Sequence, residues 1–114
     1  MNTEENKWVR VCDKSVLLPD TGLCALVGKE QVAIFRDRIS DNIYAISNFD
    51  PIGEANVLSR GLIGSIDEEL VVSSPLYKQH FDLKTGECLE QPGLRLKTYA
   101  VSILKGQIHI RYEQ

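Results

Sequence analysis

Val32-Ala33-Ile34-Phe35-Arg36, then Arg38-Ile39-Ser40-Asp41-Asn42, then Ile43-Tyr44-Ala45-Ile46: the reading of this stretch decides the fold class. The outer segments are short and rich in β-branched and aromatic residues, and they lack the length and 3.6-residue period of a helix. The middle segment carries turn chemistry, so the three together predict a β-hairpin. The C-terminus shows the same design. Thr98 to Leu104 and Gln107 to Tyr112 read as strands joined at Lys105-Gly106, where glycine accepts a positive φ at no steric cost. In the last strand Ile108, Ile110 and Tyr112 alternate with His109 and Arg111, which points the first set at the core and the second at water.

Working outward, Trp8 to Cys12, Leu23 to Val27, Leu70 to Ser73, His80 to Leu83 and Cys88 to Leu89 are shorter strand candidates. Pro19-Asp20-Thr21-Gly22, Lys84-Thr85-Gly86 and Gln91-Pro92-Gly93 are turns and loops, and Gly61-Leu62-Ile63-Gly64 reads as a further loop. No segment has the caps and periodicity of a long helix. Many short strands with regular turn signals predict an all-β sandwich or small barrel of antiparallel strands. A length of 114 residues suits one core. The expected division is a flexible N-terminal tail over residues 1–7 and a single domain over 8–114.

Composition excludes several functions. No apolar run approaches the ~20 residues of a membrane span. A net charge of −3 without a basic run argues against a nucleic-acid partner. The polar start lacks the basic and apolar regions of a secretory signal, and Cys12, Cys24 and Cys88 form no C-x-x-C pair. Both features predict a cytoplasmic protein with reduced thiols acting as small apolar side chains.

Catalytic constellations are missing from the sequence. There is no Gly-rich phosphate loop and no H-x-x-x-H spacing. His109 falls on the outward face of a strand, and His80 stands at a strand start, where a role at a loop or interface is open to it. Asp67-Glu68-Glu69 reads as a solvated turn. Asp50 and Glu54 share a loop without a visible pocket, and Ser73 and Ser74 have no triad around them. The residues by themselves predict a binding or scaffolding module.

Two segments carry a family pattern: Ala45-Ile46-Ser47-Asn48-Phe49-Asp50-Pro51-Ile52-Gly53, and Leu70 to Gly86 with Ser74-Pro75-Leu76-Tyr77-Lys78-Gln79-His80-Phe81-Asp82-Leu83 at its centre. They resemble the two cluster-binding loops of Rieske ferredoxin-like domains. In that family the first loop carries C-P-H, and the second carries C-P-x-H before an aromatic–Asp strand and a Thr-Gly turn. Pro51 and Pro75 fit this register, but the four ligand positions fall on Asp50, Ile52, Ser74 and Tyr77. A Rieske centre needs two thiolates and two imidazoles, so the resemblance implies the fold with the metal ligands vacated and no cofactor in this chain.

Val57-Leu58-Ser59-Arg60-Gly61-Leu62, between the two loops, narrows the resemblance. With Leu18 to Leu26 and Glu30 to Arg36, it is similar to small subunits of cytosolic NAD(P)H-dependent nitrite reductase. That resemblance implies a non-redox subunit of an enzyme reducing nitrite to ammonia, with FAD, a [4Fe–4S] cluster and sirohaem in the large catalytic subunit it binds and orders. The expected tip is an apolar plug of Phe49, Ile52, Leu76 and Tyr77 in place of the metal. Candidate partner-binding residues are Phe49, Arg60, Leu76, Tyr77, Lys78 and His80. A free-standing electron-transfer ferredoxin and a cluster-free adaptor for another partner are the alternatives.

Overall fold

The computed structural model describes residues 6–113 apart from Tyr77. Residues 1–5 of the expected tail lie outside the described residues, whereas Asn6 and Lys7 belong to the first strand. The strands are β1 (Asn6–Asp13), β2 (Gly22–Val27), β3 (Glu30–Arg36), β4 (Ile43–Ser47), β5 (Phe49–Asp50), β6 (Ala55–Asn56), β7 (Leu62–Ile66), β8 (Glu69–Ser73), β9 (His80–Asp82), β10 (Thr98–Tyr99), β11 (Val101–Leu104) and β12 (Gln107–Glu113). Short 3₁₀ turns at Lys14–Val16 and Leu58–Arg60 are the only helical elements among the described residues. Among the described residues no helix is long and apolar enough to cross a membrane.

The strands form antiparallel sheets ordered β1-β12-β11, β10-β4-β3-β2 and β7-β8-β9, plus the small β5-β6 hairpin. The opening stretch of the sequence supplies the central pair, β3 and β4, in the register Val32↔Ser47 to Arg36↔Ile43. Both faces of β3 are covered. Val32 and Ile34 enter one core with Leu17, Val27, Ala45, Ile108 and Ile110. Ala33 and Phe35 enter a second with Ile46, Leu58, Val72, Phe81 and Leu83. A strand buried on both faces needs an unbroken apolar run, which explains why β3 does not alternate with polar residues. Each fully buried large side chain contributes roughly 1.5–3 kcal/mol.

Three expectations are corrected. Thr98 to Leu104 is not one strand of a hairpin. Thr98 and Tyr99 pair with Ile46 and Ala45 of β4, whereas Val101 to Leu104 pair with β12. The chain changes sheets at Ala100, whose carbonyl accepts from Arg111 N at 3.0 Å. The Gly61 to Gly64 loop is largely strand: Leu62 to Ile66 pair with Ser73 to Glu69. Ile63 packs against the second core, and that burial outweighs the two glycines. Finally, β9 stops at Asp82 because its carboxylate accepts from Lys84 N and Thr85 N, at 2.7 and 3.1 Å, and turns the chain. Leu83 is thus outside the strand, and Cys88 contributes a single bridge to Phe81. Of the expected Asp67-Glu68-Glu69 turn, Asp67 and Glu68 form a two-residue connection, whereas Glu69 opens β8 and pairs with Ile66.

Candidate functional site

The two loops of the family pattern meet at one end of the molecule. The first leaves β4 and runs through the β5-β6 hairpin. The second joins β8 to β9 through residues 74–79. Asp50 and Ser74, each on the first ligand position of its own loop, are buried. Ser74 Oγ donates to Asp50 Oδ2 at 2.5 Å. Asp50 Oδ1 accepts from Ile52 N at 2.9 Å and Gly53 N at 3.2 Å, while Ser74 Oγ accepts from Leu76 N at 3.3 Å. Each loop therefore wraps around its own polar side chain, and the two side chains bond to each other. Backbone bonds complete the frame: Glu54 N to Asp50 O at 2.6 Å, Ser74 N to Gln79 O at 2.8 Å and Lys78 N to Ser74 O at 3.1 Å. Glu54 and Lys78, one in each loop, hold positive φ of 57° and 63°.

This tip is not the apolar plug expected. Phe49 is 42% and Leu76 46% exposed. Ile52 is half-buried and packs against the second core, and Tyr77 lies outside the described residues. Phe49 faces water, and Leu76 lies across the loops against Gly53, its Cδ1 2.5 Å from where a Cβ there would stand, while the buried Asp50–Ser74 pair ties the loops beneath. Buried polar groups of this kind are tolerated when they satisfy each other.

Of the candidate partner residues, Phe49, Arg60, Leu76 and Lys78 are exposed around the tip. His80 is half-buried and engaged: its Nδ1 lies 2.6 Å from Glu90 Oε2, and its backbone N donates to Glu90 Oε1 at 2.9 Å. Burial works against the Glu90 carboxylate, but the bonds from His80 outweigh it and hold its pKa below the ordinary value.

The side chains at the ligand positions do not fit a [2Fe–2S] centre. Asp50 and Ser74 offer hard oxygens already committed to each other and to backbone amides, and Ile52 offers no donor atom. The cysteines lie elsewhere: Cys12 in β1, Cys24 in β2, and Cys88 beside β9. Burial raises the thiol pKa of Cys12 and Cys24. No group of three or more His, Cys, Asp or Glu among the described residues is arranged to hold a metal ion.

One organising residue escaped the search for chemistry. Asn48 is buried beside the first loop. Its Oδ1 accepts from Ser59 N at 2.7 Å, its Nδ2 donates to Gln31 Oε1 at 3.1 Å, and its carbonyl accepts from Leu58 N at 3.1 Å. Its only signal in the sequence is an asparagine at the end of an apolar strand. These bonds seat the Val57 to Leu62 run between β2 and β8. A Cβ on Gly22 would stand 2.2 Å from Ser59 O, and one on Gly61 would stand 2.4 Å from Ser73 O. Glycine at both positions lets backbone approach backbone, with Leu58 locked in the core and Arg60 and Leu62 left outside.

A two-loop tip on three small antiparallel sheets defines a Rieske-like domain, and residues 7–111 match the family described as Rieske-like [2Fe-2S] domain. The chain is 47% identical over 106 residues to the nitrite reductase (NADH) small subunit of Escherichia coli K12, an alignment covering 93% of this chain and 98% of that protein. It therefore belongs to the family of NADH-dependent nitrite reductase small subunits. Its fold matches the NMR structure of the Escherichia coli protein NirD with a TM-score of 0.86 and 47% identity, over 93% and 96% of the two chains. The nitrite reductase [NAD(P)H] large subunit of Klebsiella oxytoca contains a stretch 36% identical over 107 residues, which is 94% of this chain and 11% of that protein.

Proposed function

We propose that this subunit works without a redox centre of its own, binding and ordering the large catalytic subunit that reduces nitrite to ammonia. The observation that carries this reading is the buried hydrogen bond from Ser74 to Asp50. It stands where a cluster-bearing member of the fold needs cysteine thiolates, and it supplies the tie between loops that a metal would otherwise supply. The reading places FAD, [4Fe–4S] and sirohaem in the large subunit, and the complex in the cytoplasm. The Klebsiella large subunit supports the partnership, because there a stretch similar to this chain shares one polypeptide with the protein named as large subunit. Phe49, Arg60, Leu76, Tyr77, Lys78 and His80 are the proposed contact residues around the tip.

The test is recovery of the tagged chain from cells grown on nitrite, with iron measured in the isolated chain and in the complex. The expected result is a co-purifying flavin–sirohaem subunit and an iron-free isolated chain. Stoichiometric iron in the isolated chain would overturn the non-redox role, and failure to recover the large subunit would overturn the partnership.

A further inference from the structure

We propose that an open groove beside the tip receives a carboxylate-bearing segment of the large subunit. The proposal rests on the partnership described above and adds to it a location and a chemistry. The groove lies where the β2–β3 turn, the first loop and the approach to β10 come together. Lys29 and Glu30 form one side, Phe49 and Asn56 a second, and Lys97 and Tyr99 a third, around Gln31 and Ser47. It encloses about 390 Å³, room for a few side chains.

The unpaired charge of this groove is one-sided. Glu30, its single acid, is already consumed: the Tyr99 hydroxyl donates to it and Lys97 Nζ lies 3.1 Å away. The Lys97 ammonium also stands over the Tyr99 ring, 4.9 Å from its centre. Gln31 Oε1 is taken by Asn48 Nδ2, and Ser47 Oγ by Phe49 N. Among the described residues, the Lys29 ammonium, the Gln31 amide nitrogen and both ends of the Asn56 amide are left without a partner in the groove, and the ammonium is the one charge among them. The neutral amides serve either role, but the uncompensated ammonium calls for a charged acceptor. Phe49 on the rim adds the apolar contact that protein interfaces favour.

The positive character is local. The chain carries a net charge of −3, yet its Asp67-Glu68 turn closes the far end of the β7-β8 hairpin, whose Leu62↔Ser73 end abuts the tip. Phe49 belongs to both groove and tip, so a segment lying in the groove continues onto the proposed contact surface. Glu54 is exposed in the β5–β6 turn at this same end, so the attraction is to the Lys29 side of the groove, and a carboxylate there is also turned from the Asp67-Glu68 end.

The experiment uses the purified complex of the two full-length subunits. Carbodiimide joins an ammonium to a carboxylate without a spacer, and mass spectrometry of the product should find Lys29 linked to an Asp or Glu of the large subunit. In parallel, Lys29→Glu should raise the dissociation constant at least tenfold and flatten its salt dependence. Lys105→Glu, in the β11–β12 turn, should bind like the parent chain. An unchanged dissociation constant for Lys29→Glu overturns the groove whatever the cross-links show. Failure of the parent chain to bind the large subunit overturns the partnership and the groove together, so the two readings fail in distinguishable ways.

Discussion

The hydroxyl of Ser74 donates to the carboxylate of Asp50, 24 residues earlier in the chain, and both side chains are buried. Removing one partner leaves the other buried and unsatisfied, which costs about 1–3 kcal/mol. Ser74→Ala should lose stability in that range. Asp50→Ala should lose more, because Ile52 N, Gly53 N and Ser74 Oγ all donate to Asp50. Asp50→Asn should fall between Asp50→Ala and the parent chain, since its carbonyl can still accept. Urea unfolding measures all three. If Asp50→Ala costs no more than Asp67→Ala on the exposed turn, the tie contributes nothing.

The glycines that flank the Leu58–Arg60 turn should be intolerant for steric reasons alone. Gly61 has a φ of −74°, open to any residue, but an added Cβ would stand 2.4 Å from the Ser73 carbonyl. Gly61→Ala should therefore cost about 1–3 kcal/mol, the usual range for overpacking. Gly64→Ala is the control: nothing lies within 4 Å of its Cβ position, so thermal unfolding should show it neutral or slightly stabilised. Equal effects at the two positions would refute the close approach.

Stability should fall in acid partly through Glu30. The Tyr99 hydroxyl, and after it Lys97, hold the Glu30 carboxyl below its ordinary value of about 4.5. A lowered native pKa means that the unfolded chain takes up the proton first. The contribution is thus complete above about pH 4.5 and is lost as pH falls through the native value. Asp41, lowered by Lys14 and then Arg36, acts in the same direction. Glu30→Gln should flatten the acid limb of stability against pH without abolishing it. At the alkaline end the sign is set by Tyr99. Burial, and after it Glu30, raises its pKa above the ordinary 10.0. The raised thiols of Cys12 and Cys24 act in the same direction from about pH 9, so stability should fall in alkali, and Tyr99→Phe should lessen the part of that fall beyond about pH 10. Urea unfolding across pH reads both limbs.

The β7–β8 turn holds Asp67 at φ 50° and Glu68 at φ 69°. Two successive positive φ values mark the mirror-image hairpin turn that favours glycine at its second centre. Glu68→Gly should raise stability by about 0.5–1 kcal/mol, the relieved backbone strain exceeding the added freedom of the unfolded chain. A lower melting temperature for this variant would show that the Glu68 side chain makes a stabilising contribution larger than its strain.

The fold was legible where neighbours in sequence are neighbours in space. β3, β4 and the β11–β12 turn follow from local patterning. The sheet change at Ala100 was hidden, because Thr98 to Leu104 looks like one strand and only the pairing of Tyr99 with Ala45 and of Val101 with Ile110 divides it. β7 was hidden by Gly61 and Gly64, whose breaker character is overridden by the packing of Ile63. At the site, the loop register singled out Asp50 and Ser74 but read them as mere losses of ligand. Their mutual bond joins two loops, and no local pattern foretells it. Of the expected plug of Phe49, Ile52, Leu76 and Tyr77, Ile52 packs inward, Phe49 and Leu76 stay partly exposed, and Tyr77 lies outside the described residues: apolar character was taken for full burial, while the polar pair occupies the space between the loops.

A tie made from a serine and an aspartate needs nothing delivered to it. It forms as the polypeptide collapses, so on the proposed cluster-free reading the shape of the tip does not wait on iron supply or on the machinery that builds and inserts clusters. It also has one oxidation state. Oxygen and changes in cellular reducing power, which alter or strip an iron–sulfur centre, leave this bond and the surface built on it as they were.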